Sequence, residues 1–192
     1  MIVHSRLVMA TALLLALSPA AAATDAAGSR VGAYDDAILA VMKQKATLPA
    51  RIEHFRGIVS QYYDMPAIAA LVAGPAWARA SAGDRSALIA ALTRHSAISL
   101  ARNFDRYDGQ RFLLDPTPQQ RGDSSLVKVT IQSAGSSDIL YYRVRGGRII
   151  DVISGGVSQL AVQRSDVAAT AASGGVAAVV KRLNEVDARA GR

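Results

Sequence analysis

The hydrophobic pattern of this chain changes period near residue 110, from helical spacing to strict alternation. Upstream, apolar residues recur three and four apart. Ile38, Val41 and Met42 do so within Tyr34 to Lys45, and Ile52, Phe55, Ile58 and Val59 follow Leu48-Pro49. Pro49 suits the first turn of a helix, where the N–H it lacks would find no partner. Asp64 is placed to cap a third helix carrying Pro66, Ile68, Leu71 and Val72, which Gly74-Pro75 ends before a short segment with Trp77. Ser81 then caps the longest helix, running to about Asn103 through Leu88, Ile89, Leu92 and Leu100. Its remaining residues are largely alanine, which lets neighbours approach closely.

Downstream, Gln110 to Leu114 reads as the start of a strand, interrupted by Asp115-Pro116-Thr117-Pro118. In Leu126 to Gln132, Val127, Val129 and Ile131 alternate with Lys128, Thr130 and Gln132. Asp138 to Arg145 and Arg148 to Ile153 flank Gly146-Gly147, a two-residue hairpin signal. After Gly155-Gly156 the helical period returns in two stretches, Ser158 to Ala172 and Val176 to Val186, separated by Gly174-Gly175. Helices (34–103), strands (110–153) and C-terminal helices (158–186) in blocks indicate one α+β domain over 24–192. Its twisted antiparallel sheet of about four strands packs against helices.

A two-residue turn at Gly146-Gly147 places Val144 opposite Ile149 and Tyr142 opposite Asp151. One face then carries Leu140, Tyr142, Val144, Ile149, Asp151 and Ile153, and should look at the helices. The other carries Ile139, Tyr141, Arg143, Arg145, Arg148, Ile150 and Val152. A slip of one residue would exchange the two sets.

Met1 to Ala23 has the order of a secretory signal peptide: His4 and Arg6, an apolar run from Leu7 to Leu17, Ser18-Pro19, then Ala21-Ala22-Ala23. The run is far shorter than the ~20 residues of a spanning helix. Cleavage after Ala22 or Ala23 would give an exported, periplasmic protein. The formal charge is +7, from 22 Lys+Arg against 15 Asp+Glu. Such a balance calls for an acidic partner. Export argues against nucleic acid, leaving anionic lipid or acidic protein. The chain has no cysteine, which excludes thiol nucleophiles, disulfides and Cys-based zinc sites.

No catalytic motif appears. Beyond the leader the only histidines are His54 and His95, neither with a carboxylate or second His at i+4. Both read as helix-face residues, and no metal or cofactor is expected. Gly155-Gly156-Val157-Ser158 lacks the glycine that would complete a nucleophile turn, and Ser158 reads as a helix cap. Asp35-Asp36 reads as an acidic helix start, and Asp105 and Asp108 as a helix-exit turn. Asp151 stands out because its face is otherwise apolar. A buried Asp bonded to Tyr142 or to backbone is favoured over a catalytic one. Arg143, Arg145 and Arg148 form either a solvated hairpin edge or a docking patch.

Four motifs in register resemble the MlaC/toluene-tolerance (Ttg2-type) family. Tyr63-Asp64-Met65-Pro66-Ala67-Ile68-Ala69, with Gly74 and Trp77, is similar to its F-D-M-P-x-I-A … L-G-x-x-W signature. Phe104 to Phe112 resembles its F-x-x-Y-x-G-x-x-F junction. Tyr142-Arg143 with Arg148-Ile149-Ile150-Asp151-Val152 resembles its D-Y-R and W-R-I-I-D-V strands, and Gly156-Val157-Ser158 its D-G-V-S turn. The chain departs from the pattern at Gly147, where Trp is usual, at Gln163, where Tyr is common, and at Val167, where Phe is common. Val162 to Asp166, Ala172 to Gly175 and Ala37 to Lys43 look more like the hopanoid-associated branch, HpnM.

The resemblance implies an NTF2/cystatin-like fold and a periplasmic carrier that encloses the acyl chains of a phospholipid, or a hopanoid, between sheet and helices. It implies exchange with an MCE-domain ABC transporter or an RND-type transporter and with an outer-membrane lipoprotein complex, without nucleic acid or covalent chemistry. The lining expected is the alternating apolar set Phe112, Leu114, Val127, Val129, Ile131, Leu140, Val144, Ile149 and Ile153, with Leu88 and Leu92 from the helices. Tyr142 and Asp151 would brace the sheet or meet the head group. Two other readings are a periplasmic adaptor with a solid core and an NTF2-like enzyme using Asp151 and Tyr142 as an acid/base pair.

Overall fold

The structure is a computed structural model that describes residues 19–190. Most of the proposed signal peptide, Met1 to Ser18, lies outside the described residues. Five helices come first: α1 (Pro19–Met42), α2 (Leu48–Tyr62), α3 (Met65–Ala73), α4 (Pro75–Arg79) and α5 (Ala82–Asn103). Strands β1 (Arg111–Leu114), β2 (Gln119–Arg121), β3 (Ser124–Ser133), β4 (Ser136–Arg145), β5 (Arg148–Ser154) and β6 (Val157–Ser158) follow, and α6 (Gln159–Ala190) closes the chain.

The helix boundaries follow side-chain caps. Asp64 accepts the Ala67 N–H at 3.1 Å, and Ser81 accepts the Asp84 N–H at 3.0 Å while donating its hydroxyl to that carboxylate at 2.7 Å. Each such cap contributes about 1 kcal/mol by satisfying an orphan amide. Helix α1 begins well before Tyr34, where the apolar spacing alone would start it. Ala27 and Val31 continue the buried stripe of Tyr34 and Ile38, while Gly28 and Gly32 face Pro118 and Leu114 with room for a methyl at ordinary contact distance. A Cβ on Gly28 would sit 3.5 Å from Pro118 Cγ, and one on Gly32 3.8 Å from Leu114 Cδ2. Helix α6 breaks at Gly175, whose φ of 67° favours glycine. A Cβ on the preceding Gly174 would come within 2.5 Å of Ala178 Cβ.

The sheet is antiparallel, with order β1-β3-β4-β5-β6 and β2 also pairing with β3. It therefore has six strands rather than about four. The two extra ones, β2 and β6, are only three and two residues long and carry no hydrophobic alternation of their own.

The β4–β5 register holds near the turn and then shifts. Val144 faces Ile149, but Arg143 faces Asp151 and Tyr142 faces Val152. Ile150 is the extra residue of a β-bulge. The expected Tyr142–Asp151 pair is not formed, and Ile153 lies opposite Tyr141 on the outer face. The bulge sits where β5 is also tied to the α2–α3 junction. Tyr63 bridges Ile149, and the Asp64 N–H donates to the Ile149 carbonyl at 3.0 Å. The bulge leaves Ile150 without a partner on β4.

Two apolar cores result. One joins α1 and α2 (Val31, Ile38, Phe55) to the inner sheet face (Val127, Val129, Val144, Ile149). The other joins α3, α5 and α6 through Val72, Leu88, Leu92, Val167, Val179 and Leu183. Among the described residues, no helix is long and apolar enough to cross a membrane.

Candidate functional site

A cavity of about 390 Å³ opens beside the first core, between β4 and β5 on one side and α5 with the first half of α6 on the other. Its sheet wall is Leu140, Ile150 and Val152. Leu140 is there because it alternates with Tyr142 on the inner face of β4. Val152 and Ile150 are there because of the bulge, which turns Val152 inward opposite Tyr142. Leu100 and Phe104 of α5 and Leu160 of α6 complete the apolar lining.

Tyr34, Tyr63 and Tyr142 form the inner end. The Tyr34 and Tyr63 hydroxyls are 2.8 Å apart, and the Tyr34 ring meets Tyr62, Tyr63 and Tyr142 edge-on at centroid separations of 5.5 to 5.6 Å. Edge-to-face packing is a favoured arrangement for aromatic rings and fixes their orientation at this end of the cavity. Burial pushes all three hydroxyls well above the usual tyrosine range. Behind Tyr142 lies Asp35, almost wholly buried. Burial raises its carboxyl from an ordinary 3.8 to about 7; the Tyr142 hydroxyl, bonded to it, acts in the opposite direction, and Asp36 adds to the rise. Its Oδ1 has no hydrogen-bond partner among the described residues. Asp35 is thus a buried acid rather than the solvated helix-start residue its sequence position indicates.

Asp151 fixes the α6 wall. Its Oδ2 accepts the Ser158 hydroxyl at 2.7 Å and its Oδ1 the Leu160 N–H at 3.1 Å, while Ser158 Oγ accepts the Ala161 N–H at 3.0 Å. The expected role of Ser158 as a helix cap is seen directly, and Asp151 is a second cap reaching from β5. The Tyr142–Asp151 acid/base pair of the enzyme reading is not assembled, since Tyr142 bonds Asp35 and Asp151 bonds the start of α6. His95, on the cavity wall, is held through Nδ1 by Asp187 Oδ1 at 2.7 Å, and Arg94 donates to Asp187 Oδ2 at 3.2 Å. That partner is distant in sequence and invisible to an i+4 search.

Three of the expected lining residues, Leu140, Tyr142 and Asp151, line this cavity. Val127, Val129, Val144 and Ile149 are instead consumed by the first core, with Phe112 and Ile131 packed against it. Leu88 and Leu92 are fully buried in the second core. Leu114, on the edge strand, is 37% exposed against α1, and Ile153 faces outward. The three arginines also separate. Arg143 is exposed, Arg145 approaches Asp123 at 3.6 Å, and Arg148 donates to the Tyr63 carbonyl at 3.1 Å, so it braces the α2–α3 junction. Alternation could not reveal Ile150 and Val152, because a bulge breaks the period it relies on.

The family model for the MlaC protein matches residues 33–185. The chain belongs to the MlaC family. The same fold is seen in a phospholipid-binding protein from Ralstonia solanacearum solved in complex with a phospholipid. That structure is 19% identical, covers 86% of this chain and 99% of its own, and superposes with a TM-score of 0.74. No curated protein matches the chain by sequence. The MlaC match begins at residue 33, within α1, and runs almost to the end of α6, so it includes every wall of the cavity.

Proposed function

We propose that this protein is a periplasmic lipid carrier that holds the acyl part of a phospholipid in the cavity between β4–β5, α5 and α6 and moves it between membranes. The observation that carries the reading is the cavity's division into an apolar interior (Leu100, Phe104, Leu140, Ile150, Val152) and a polar mouth, in a chain of the MlaC family. The Ralstonia solanacearum protein of the same fold, itself bound to a phospholipid, supports the choice of ligand. Burial is the whole mechanism. Each methylene left in water costs about 0.8 kcal/mol, so an enclosed tail crosses an aqueous space that a free lipid does not. Exchange with membrane transporters at either end is part of the proposal.

Mass spectrometry of organic extracts from the purified protein tests it. Stoichiometric phospholipid is expected, and a hopanoid in its place would move the ligand to the polycyclic class. Leu140→Arg, which puts a cation on the apolar wall, should abolish the lipid while the circular dichroism spectrum stays unchanged. Equal lipid content in the folded variant would overturn the assignment of this cavity.

A further inference from the structure

The mouth of the cavity is built from two polar stripes that face one another. On α5, Ser96, Ser99 and Asn103 recur at helical spacing; on α6, Gln159, Gln163 and Asp166 do the same, and all six line the cavity. Ser99, Asn103, Gln159 and Asp166 are exposed, whereas Tyr34, Tyr142 and Ile150 at the far end are buried and Tyr63 is half-buried, so the stripes mark the opening. None of the six side chains has a hydrogen-bond or ion-pair partner among the described residues. They are free to meet a molecule held in the cavity.

Among the described residues that line the cavity, the formal charges have one sign. No Lys or Arg is among the described residues that line the cavity, and the carboxylate of Asp166 is its one exposed formal charge. Asp151 is committed to capping α6, and His95 to Asp187. Arg164, two residues before Asp166, lies on the other side of α6 beside Ala168 and Ala171. A head group at this mouth therefore meets hydroxyl and amide donors for a phosphate and a carboxylate for a cation. A net-negative head would find only the donors and be repelled by Asp166.

We propose that the mouth is a head-group subsite selective for lipids bearing a primary ammonium, held between Asp166 and the donors Ser96, Ser99, Asn103 and Gln163. This rests on the reading of the cavity as a lipid site. The ammonium gives N–H groups to Asp166, and the phosphate accepts from the serine, asparagine and glutamine side chains.

The test is competitive loading. The full chain is incubated with vesicles of equimolar phosphatidylethanolamine and phosphatidylglycerol of identical acyl composition, re-isolated and extracted, and the bound ratio is measured by mass spectrometry. Ethanolamine lipid should be enriched about fivefold, the scale of one exposed ion pair, and less so in high salt. Asp166→Asn should bring the ratio close to one, and Asp166→Lys should invert it. Asp166 is exposed and unpaired, so both variants should fold. Equal loading of the two lipids, or an enrichment that neither substitution alters, would overturn the subsite while leaving the carrier intact. No bound lipid of either kind would overturn the carrier reading and the subsite together.

Discussion

Asp151 of β5 accepts the backbone N–H of Leu160, in the first turn of α6, at 3.1 Å. The contact joins the sheet to the helix that forms the opposite cavity wall. It explains why an acid is buried between Ile150 and Val152: both oxygens are spent on the helix start, where the macrodipole also favours negative charge. Leu160 and Val152, on either side of this joint, both line the cavity. Asp151 is thus a positioning residue whose effect on the cavity runs through α6.

Replacing Asp151 with Ala should destabilise the protein by about 2–3 kcal/mol, since it removes a charge-assisted bond to Leu160 and leaves the Ser158 hydroxyl without its acceptor. Asp151→Asn keeps one acceptor and should cost about half as much. Urea denaturation monitored by circular dichroism measures both. Hydrogen exchange should quicken first at Leu160 and Ala161, and a uniform increase across the chain would contradict the capping role.

Leu88→Ala separates the two cores. Leu88 is fully buried among α3, α5 and α6 and does not line the cavity. Truncation should cost about 2–5 kcal/mol in stability with bound lipid per folded protein unchanged. Loss of lipid without loss of stability would return Leu88 to the lining.

Gly175→Ala tests the break in α6. The residue has φ 67° and ψ −165°, a backbone conformation open almost only to glycine. The substitution should destabilise by about 1–3 kcal/mol, visible as a lower urea midpoint at unchanged slope. An equal or higher midpoint would show that α6 runs unbroken.

Much of the fold was legible because local signals agreed with tertiary structure. Asp64 and Ser81 cap the helices that their positions indicate, Gly174-Gly175 breaks α6, and Val127, Val129 and Ile131 alternate on β3. The site was less legible, for two physical reasons. Alternation identifies the residues that face inward, yet most of these fill a solid core, and only Leu140 and Tyr142 among the inward apolar and aromatic strand residues expected reach the space beside it. The rest of the wall depends on a bulge at Ile150, beside the Asp64–Ile149 bond, which hydrophobic alternation does not encode. The polar stripe Ser96, Ser99, Asn103 was present at helical spacing, and a polar stripe on a helix resembles any solvated face until the opposing wall is placed.

Asp35 gives the chain a pH dependence of definite sign. Its carboxyl titrates at about 7 in the folded protein against an ordinary 3.8, chiefly because burial penalises the charged form. The folded state therefore holds this proton more tightly than the unfolded chain does. The stabilisation is fully present below about pH 4, falls as pH rises through the interval up to about 7, and is then exhausted. The loss from this group is at most about 4 kcal/mol, since a tenfold difference in proton affinity between the folded and unfolded states is worth about 1.4 kcal/mol. Asp35→Asn keeps a hydrogen-bonding side chain beside Tyr142 without a titrating proton, so the variant should be more stable than the parent at pH 8 and similar to it at pH 4. Urea denaturation of both proteins across that range provides the comparison. Parallel stability curves would show that the Asp35 carboxyl is hydrated and titrates in its ordinary range.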